Sequence, residues 1–353
     1  MRSHNPVHCC FAYNYLMVKV GVPQALSYYR YFPLWKTLLE GVGAEVVLSR
    51  STRKELVQDG VRQCVDDICV PVKLYYGHLL DVADRCDLLF ISRLVSVEKT
   101  GGDTFTCPKL IGLPDMIKHS LDNLPPTIEF TIDIQKRSLK SSMKRVCAEL
   151  GASMSLTRKA LSDSLAAQGA YEAELMRGLT PNEAMKNVLG NGNNKEKTMP
   201  ATGGGRPGAN RPKDINIALI GHEYLIHDYF ISHNLPLKLE RLGARVTYMT
   251  QVPPDVIDRE LSRYPSISWS YEKELLGSAS HFLGRSDIDG VILVVGFACG
   301  PDSILGEIIA REVVTENSPP LTTLVLDEHT GEAGVATRVE AFVDLIRRAR
   351  KNS

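Results

Sequence analysis

The sequence predicts an α/β fold: two doubly wound, flavodoxin- or Rossmann-like parallel-sheet domains with a cleft between them and added helices. Three observations carry that expectation. Short β-branched runs alternate with longer helix-period runs along most of the 353 residues, the pattern of βαβ units. The alternation stops across Gly190 to Lys213 and restarts with Ile215-Asn-Ile-Ala-Leu-Ile-Gly-His222. A hydrophobic content of 44% supplies enough apolar surface for two cores of ordinary size.

Each element follows in order. Residues 1–16 show no period and are read as a disordered extension or a misassigned start, because Met17-Val-Lys-Val-Gly-Val-Pro23 opens like a first strand. The first domain, 17–187, is expected to place strands at 18–22, 45–48, 88–91 and 127–132. Between them lie helices at 24–40, with Tyr28, Phe32, Trp35 and Leu39 spaced for one face, at 53–60 and at 72–83. A long helical segment over 135–177 is expected to break near Gly151. Residues 188–213 read as a flexible linker, because Gly-Asn-Gly-Asn-Asn and Thr-Gly-Gly-Gly-Arg-Pro-Gly bury too little to order themselves. The second domain, 214–353, opens with the strand run Ile215 to His222 and adds strands at 245–249, 290–297 and 322–327 and a last helix at 335–349.

Composition excludes several classes of function. Basic and acidic residues balance at 41 each with no long basic run, so neither nucleic acid nor an anionic membrane is signalled as a partner. No apolar stretch approaches the roughly 18 residues needed to span a bilayer. The first 16 residues lack the basic-then-apolar order of a signal peptide, so a cytoplasmic location is expected. In that compartment the eight cysteines read as metal ligands or buried thiols rather than disulfides. No phosphate loop, dinucleotide glycine motif or nucleophile elbow appears.

Among those cysteines, three share a setting: Cys69 in Asp-Asp-Ile-Cys-Val-Pro-Val-Lys, Cys107 in Thr-Cys-Pro-Lys and Cys299 in Gly-Phe-Ala-Cys-Gly-Pro-Asp. A proline within two residues fixes φ and removes a donor, which puts each thiol at a rigid turn beside an element end. Cys69 is expected to open the helix through Lys73 and His78, Cys107 to begin a short extended element, and Cys299 to follow the carboxyl end of an apolar strand. Three thiolates converging from both domains suit an iron–sulfur cluster with one iron left for a non-cysteine ligand. The plainer reading is three unrelated buried cysteines. A shared cluster would also tie together two units otherwise joined by the linker.

Other residues are weaker candidates. Cys64, five residues before Cys69, is a candidate fourth ligand without the proline context, whereas Cys86 and Cys147 read as core positions and the adjacent Cys9 and Cys10 as outside the site. Arg93 at a strand end suits a carboxylate, a phosphate or support of the cluster. His222, His227 and the Asp327-Glu328-His329 turn also follow strands, where histidine binds or moves protons. Lys73 and His78 read most simply as a solvated helix face. No catalytic residue is assigned.

Taken together, Gly21-Val-Pro-Gln-Ala-Leu-Ser-Tyr-Tyr29 with Pro33-Leu-Trp35, Asp67-Ile-Cys-Val-Pro-Val-Lys-Leu-Tyr-Tyr-Gly-His78, Cys107-Pro-Lys-Leu-Ile-Gly-Leu-Pro-Asp115, Phe297-Ala-Cys-Gly-Pro-Asp302 and Asp327-Glu-His-Thr-Gly-Glu-Ala-Gly334 with Thr337-Arg-Val-Glu-Ala-Phe-Val-Asp344 resemble the acyl-CoA dehydratase activase-related proteins. That family is related to the iron–sulfur subunits of 2-hydroxyacyl-CoA dehydratases and benzoyl-CoA reductases, found mainly in anaerobes. The resemblance spans roughly 18–345 apart from the linker. It implies a low-potential 4Fe-4S cluster on Cys69, Cys107 and Cys299, working in electron transfer or in radical acyl-CoA chemistry as a lyase or reductase component. The chain carries no recognisable actin-like ATPase domain, so the resemblance implies a separate ATP-dependent activase as partner, an acyl-CoA as the possible substrate, and leaves a dimer open. The alternative function is a non-catalytic two-domain binding or scaffold protein with a structural metal.

Overall fold

The computed structural model describes residues 17–98, 104–190, 214–264 and 267–352, so the expectations for 1–16 and for most of the linker lie outside the described residues. The first half runs β1 (Lys19–Val22), α1 (Tyr28–Gly41), β2 (Glu45–Leu48), α2 (Lys54–Gln63), α3 (Val70–Ala83), β3 (Leu88–Ser96), α4 (Pro108–Ser120) and β4 (Thr127–Asp133). Three helices then pack back onto it: α5 (Leu139–Glu149), α6 (Met154–Met176) and α7 (Pro181–Leu189). The second half runs β5 (Ile215–Ile220), α8 (Glu223–Ile226), α9 (Leu235–Arg241), β6 (Ala244–Tyr248), α10 (Pro254–Leu261), α11 (Ser270–Leu283), β7 (Gly290–Gly296), α12 (Gly300–Ile308), β8 (Leu321–Leu326) and α13 (Glu332–Asn352).

The strands form two four-stranded sheets, in the orders β2-β1-β3-β4 and β6-β5-β7-β8, with every pairing parallel. The expected α/β fold with two sheets is therefore present. Each sheet reverses its winding between its first and third strands, and the crevice such a reversal opens at the carboxyl ends is where ligands sit in open α/β sheets. All seven residues of β7, Gly-Val-Ile-Leu-Val-Val-Gly, are buried, as a central strand covered on both faces requires.

Local sequence explains the less regular pieces. Pro33 lies inside α1 and removes the amide that would bond the Tyr29 carbonyl. The Tyr171 hydroxyl of α6 donates to that oxygen instead, and Gln168 Nε2 donates to the next carbonyl, of Arg30, at 2.9 Å. Gly151, with φ +71°, separates α5 from α6, as the sequence predicts. The helices α2 and α3 touch backbone to backbone: a Cβ on Gly77 would lie 2.1 Å from the Leu56 carbonyl oxygen, and one on Gly60 would lie 2.0 Å from that of Lys73. Cys86 packs beneath β1, 2.6 Å from where a Cβ on Gly21 would stand, and Cys147 is fully buried in α5.

One expectation is corrected here. Cys107 opens no extended element; it is the N-cap of α4, because Pro108 occupies a first-turn position where a missing amide costs nothing. The halves also meet directly, apart from the three cysteines. Arg30 makes two hydrogen bonds to Glu274, of 2.7 and 2.5 Å, and lies 4.8 Å over the Tyr271 ring. Thr52 donates to Asp228, Lys73 pairs with Glu328, and Val57, Val70 and Leu74 share a core with β5 and β7. At the linker's start, Val188 belongs to α7, whose helix ends at Leu189 with Gly190 beyond it.

Candidate functional site

Each of the three predicted cysteines is the N-cap of a helix with proline in its first turn: Cys69 on α3, Cys107 on α4 and Cys299 on α12. Their backbones are extended, with φ of −66°, −63° and −83°, as an N-cap demands and as the proline after Cys107 enforces. Cys69 is 6% exposed, and the other two are half-buried. The positive ends of α3, α4 and α12 favour negative charge on the sulfurs that cap them.

The three turns are bonded to one another. The Val70 amide, one residue past Cys69, donates to the Phe297 carbonyl at 3.4 Å. Lys109 Nζ, two residues past Cys107, donates to the Ala298 carbonyl at 3.1 Å. Both acceptors belong to the turn that leads from β7 into Cys299, in which Ala298 takes a left-handed φ of 60°. A non-glycine residue held in that conformation marks a turn that its surroundings impose. Cys69 and Cys107 thus come to Cys299 across the boundary between halves.

Burial sets the electrostatics. It pushes up all three thiols, Cys107 to about 11, with Asp302 adding to the rise at Cys299. Lys109 opposes the rise at Cys69, and the amides of Val72, Leu110 and Asp302 oppose it at their respective sulfurs. None of these amides closes a hydrogen bond of ordinary geometry onto the capping thiol, so they act as dipoles. Tyr224 stands among the group: burial pushes its phenol well above the usual value, and Asp302 and all three thiols push it further. The donor set is soft, and thiolate sulfur selects iron–sulfur clusters, zinc or copper(I). Among the described residues, His222, Glu272 and Asp302 form a His/Cys/Asp/Glu triplet whose ligand atoms all lie within 4.8 Å of one another.

His222 follows β5, and Glu272 and Asp302 lie in the first turns of α11 and α12. All three are at least 97% buried. His222 Nε2 bonds Asp302 Oδ1 at 3.0 Å, and its ring stacks on Tyr224 with centroids 4.9 Å apart. Burial alone would lower the His222 imidazole, but Asp302 lifts it to about 9. Burial would raise Asp302, yet His222 and the Cys299 thiol hold it below the usual carboxylate range. Beside this group, Trp269, Glu272, Pro301 and Ile304 help to line a mainly apolar cavity of about 360 Å³.

The remaining candidates go elsewhere. Arg93 is a brace: it grips Glu129 at 2.8 and 2.9 Å, Asp115 at 2.8 Å and the Ile111 carbonyl, fixing α4 to the sheet. Lys73 and His78 are 4% and 0% exposed, so no solvated face exists there. His78 bonds Ser49 at 2.8 Å and Thr52 at 2.9 Å, and Lys73 ion-pairs with Glu328. His227 is buried against Tyr248, and His329 lies exposed in a turn that Asp327 holds through Thr330. Cys64 caps the end of α2, and burial pushes its thiol up to about 12. Tyr224, Lys109, Glu272 and Asp302 escaped the reading by sequence, although the lysine and the aspartate stand two and three residues beyond predicted cysteines.

Residues 19–252 of the 353 match the family model of the CoA enzyme activase uncharacterised domain (DUF2229), a span that contains Cys69 and Cys107 and ends before Cys299. Among curated proteins none matches. With two thirds of its length inside that model, the chain belongs to the CoA enzyme activase uncharacterised domain family.

Proposed function

We propose that this chain is an iron–sulfur component of a 2-hydroxyacyl-CoA dehydratase-like system, with a 4Fe-4S cluster on Cys69, Cys107 and Cys299 and a separate ATP-dependent activase as its electron donor. The observation that carries the reading is the meeting of three cysteine-capped helix N-termini whose turns hydrogen-bond to one another across the halves. Membership of an activase-related family supports the partner class. When bound, such a cluster supplies a low-potential electron, for transfer onward or for radical chemistry on an acyl-CoA.

The chain's own residues would do the rest. The ends of α3, α4 and α12 and the Lys109 ammonium offset the negative charge of three thiolates. Tyr224 stays protonated and keeps a donor O–H beside them. The apolar cavity next to α12 is the place for the acyl portion of a substrate.

Anaerobic purification with measurement of iron, acid-labile sulfide and visible absorbance tests this. The reading expects a brown protein with iron and sulfide in equal amounts that bleaches in air, because three thiolates leave one iron without a cysteine. Colourless protein free of sulfide would overturn it, and a sulfide-free bound metal would favour the structural-metal scaffold.

A further inference from the structure

We propose a second metal centre in this chain, for a divalent cation, formed by His222 Nε2 and the carboxylates of Glu272 and Asp302. It uses no cysteine, and it stands on residues separate from the proposed cluster ligands. One ligand atom from each residue already lies within 4.8 Å of the others, although the three come from three different elements of the second half. The site is built at the winding reversal of the second sheet, since His222 follows β5 and Asp302 follows β7.

The orphaned oxygens point to a ligand. Glu272 Oε2 and Asp302 Oδ2 have no hydrogen-bond partner, while their residues are 3% and 2% exposed. Buried carboxylate oxygens without partners are costly, and buried charges are normally paired or coordinate a metal. His222 bonds one oxygen of Asp302 and the Cys299 thiol also acts on that carboxylate, yet Asp302 Oδ2 and Glu272 Oε2 keep no partner. A divalent ion that displaces the His222 Nε2 proton meets two carboxylates and a neutral imidazole, which leaves a neutral complex suited to a buried site.

Ligand chemistry and access agree. Imidazole with carboxylates suits Mn2+, Fe2+ or Zn2+ and contrasts with the all-thiolate set nearby. The Tyr224 ring stacked on His222 fixes the plane of the imidazole, as outer groups do at metal sites. Glu272 also lines the cavity of about 360 Å³, which gives an ion a way in. Three protein ligands leave coordination positions open, the arrangement of a centre that binds a further group rather than a purely structural one.

Mn2+ is the probe, because it binds oxygen and nitrogen and disfavours thiolate. Anaerobically purified full-length protein is titrated with Mn2+ while free ion is followed by electron paramagnetic resonance. Wild type should take up one tight equivalent per chain, and Cys69→Ala should do the same. Glu272→Gln and Asp302→Asn should bind about tenfold more weakly or worse, with circular dichroism unchanged. A wild-type chain that leaves Mn2+ free overturns the proposal even if the variants fail to fold, and so does a folded Glu272→Gln that binds like wild type. Iron is counted in the same samples. Unchanged iron in Glu272→Gln with Mn2+ lost keeps the two centres distinct, whereas iron and Mn2+ lost together would make the triplet part of the cysteine site and end the claim for a second centre.

Discussion

Mild acid should loosen the helix that carries Cys69, and His78 is the residue that makes it so. Burial holds its imidazole at about 3, against 6.5 ordinarily, because it sits fully enclosed between Ser49 and Thr52. The folded pKa lies below the unfolded one, so the neutral ring contributes stability that is complete above the unfolded value. That contribution is lost as pH falls from 6.5 toward 3. Between about pH 7.5 and about pH 5 the unfolded side chain gains nearly one proton and the folded one almost none, a loss of about 2 kcal/mol. Urea unfolding followed by far-ultraviolet circular dichroism at both pH values measures it. His78→Gln keeps hydrogen-bonding capacity without titrating, so wild type should lose about 2 kcal/mol more than the variant on acidification. His227, which burial also holds at about 3, is common to both proteins and cancels. An identical pH dependence in wild type and His78→Gln would refute the reasoning.

Other perturbations test the supports of the site. Gly77→Ala should cost about 1–3 kcal/mol or more, because its Cβ would meet the Leu56 carbonyl oxygen at 2.1 Å and force α2 from α3; an unchanged melting temperature would argue against that contact. Lys73→Ala should cost about 3–5 kcal/mol by stranding Glu328, whose side chain is 10% exposed. The double variant Lys73→Met with Glu328→Gln should recover most of it, and chemical denaturation distinguishes the outcomes. Arg93→Met should free α4 from β3 and lower iron content as well as stability, whereas a loss of stability with full iron would show that the brace does not position Cys107.

Much of the scaffold was legible because parallel strands advertise themselves. The buried run of β7 and the β-branched starts of β1 and β5 lie within a residue or two of where periodicity placed them. The α4 helix was not legible, since Pro108, Gly112 and Pro114 lower local helix propensity, and only the tertiary setting shows that Pro108 is a first-turn residue. The cysteines were visible through their prolines, a local signal. What surrounds them was not: Tyr224 and Glu272 reach the thiols only because the two halves meet there, and nothing in the sequence neighbourhood of either residue records that meeting. The same holds for Lys73 and His78, whose polar side chains read as solvent-facing until their partners Glu328, Ser49 and Thr52 are known.

The central claim is that Cys69, Cys107 and Cys299 jointly hold one iron–sulfur cluster, and metal binding by such a set fails as a whole when one ligand is removed. Iron and acid-labile sulfide should therefore be counted in anaerobically purified wild type, in Cys69→Ala, Cys107→Ala and Cys299→Ala, and in Cys147→Ala, whose fully buried thiol lies in α5. The account predicts that each of the first three variants loses most of its iron and sulfide while Cys147→Ala retains the wild-type content. Equal iron in Cys69→Ala and wild type would contradict it.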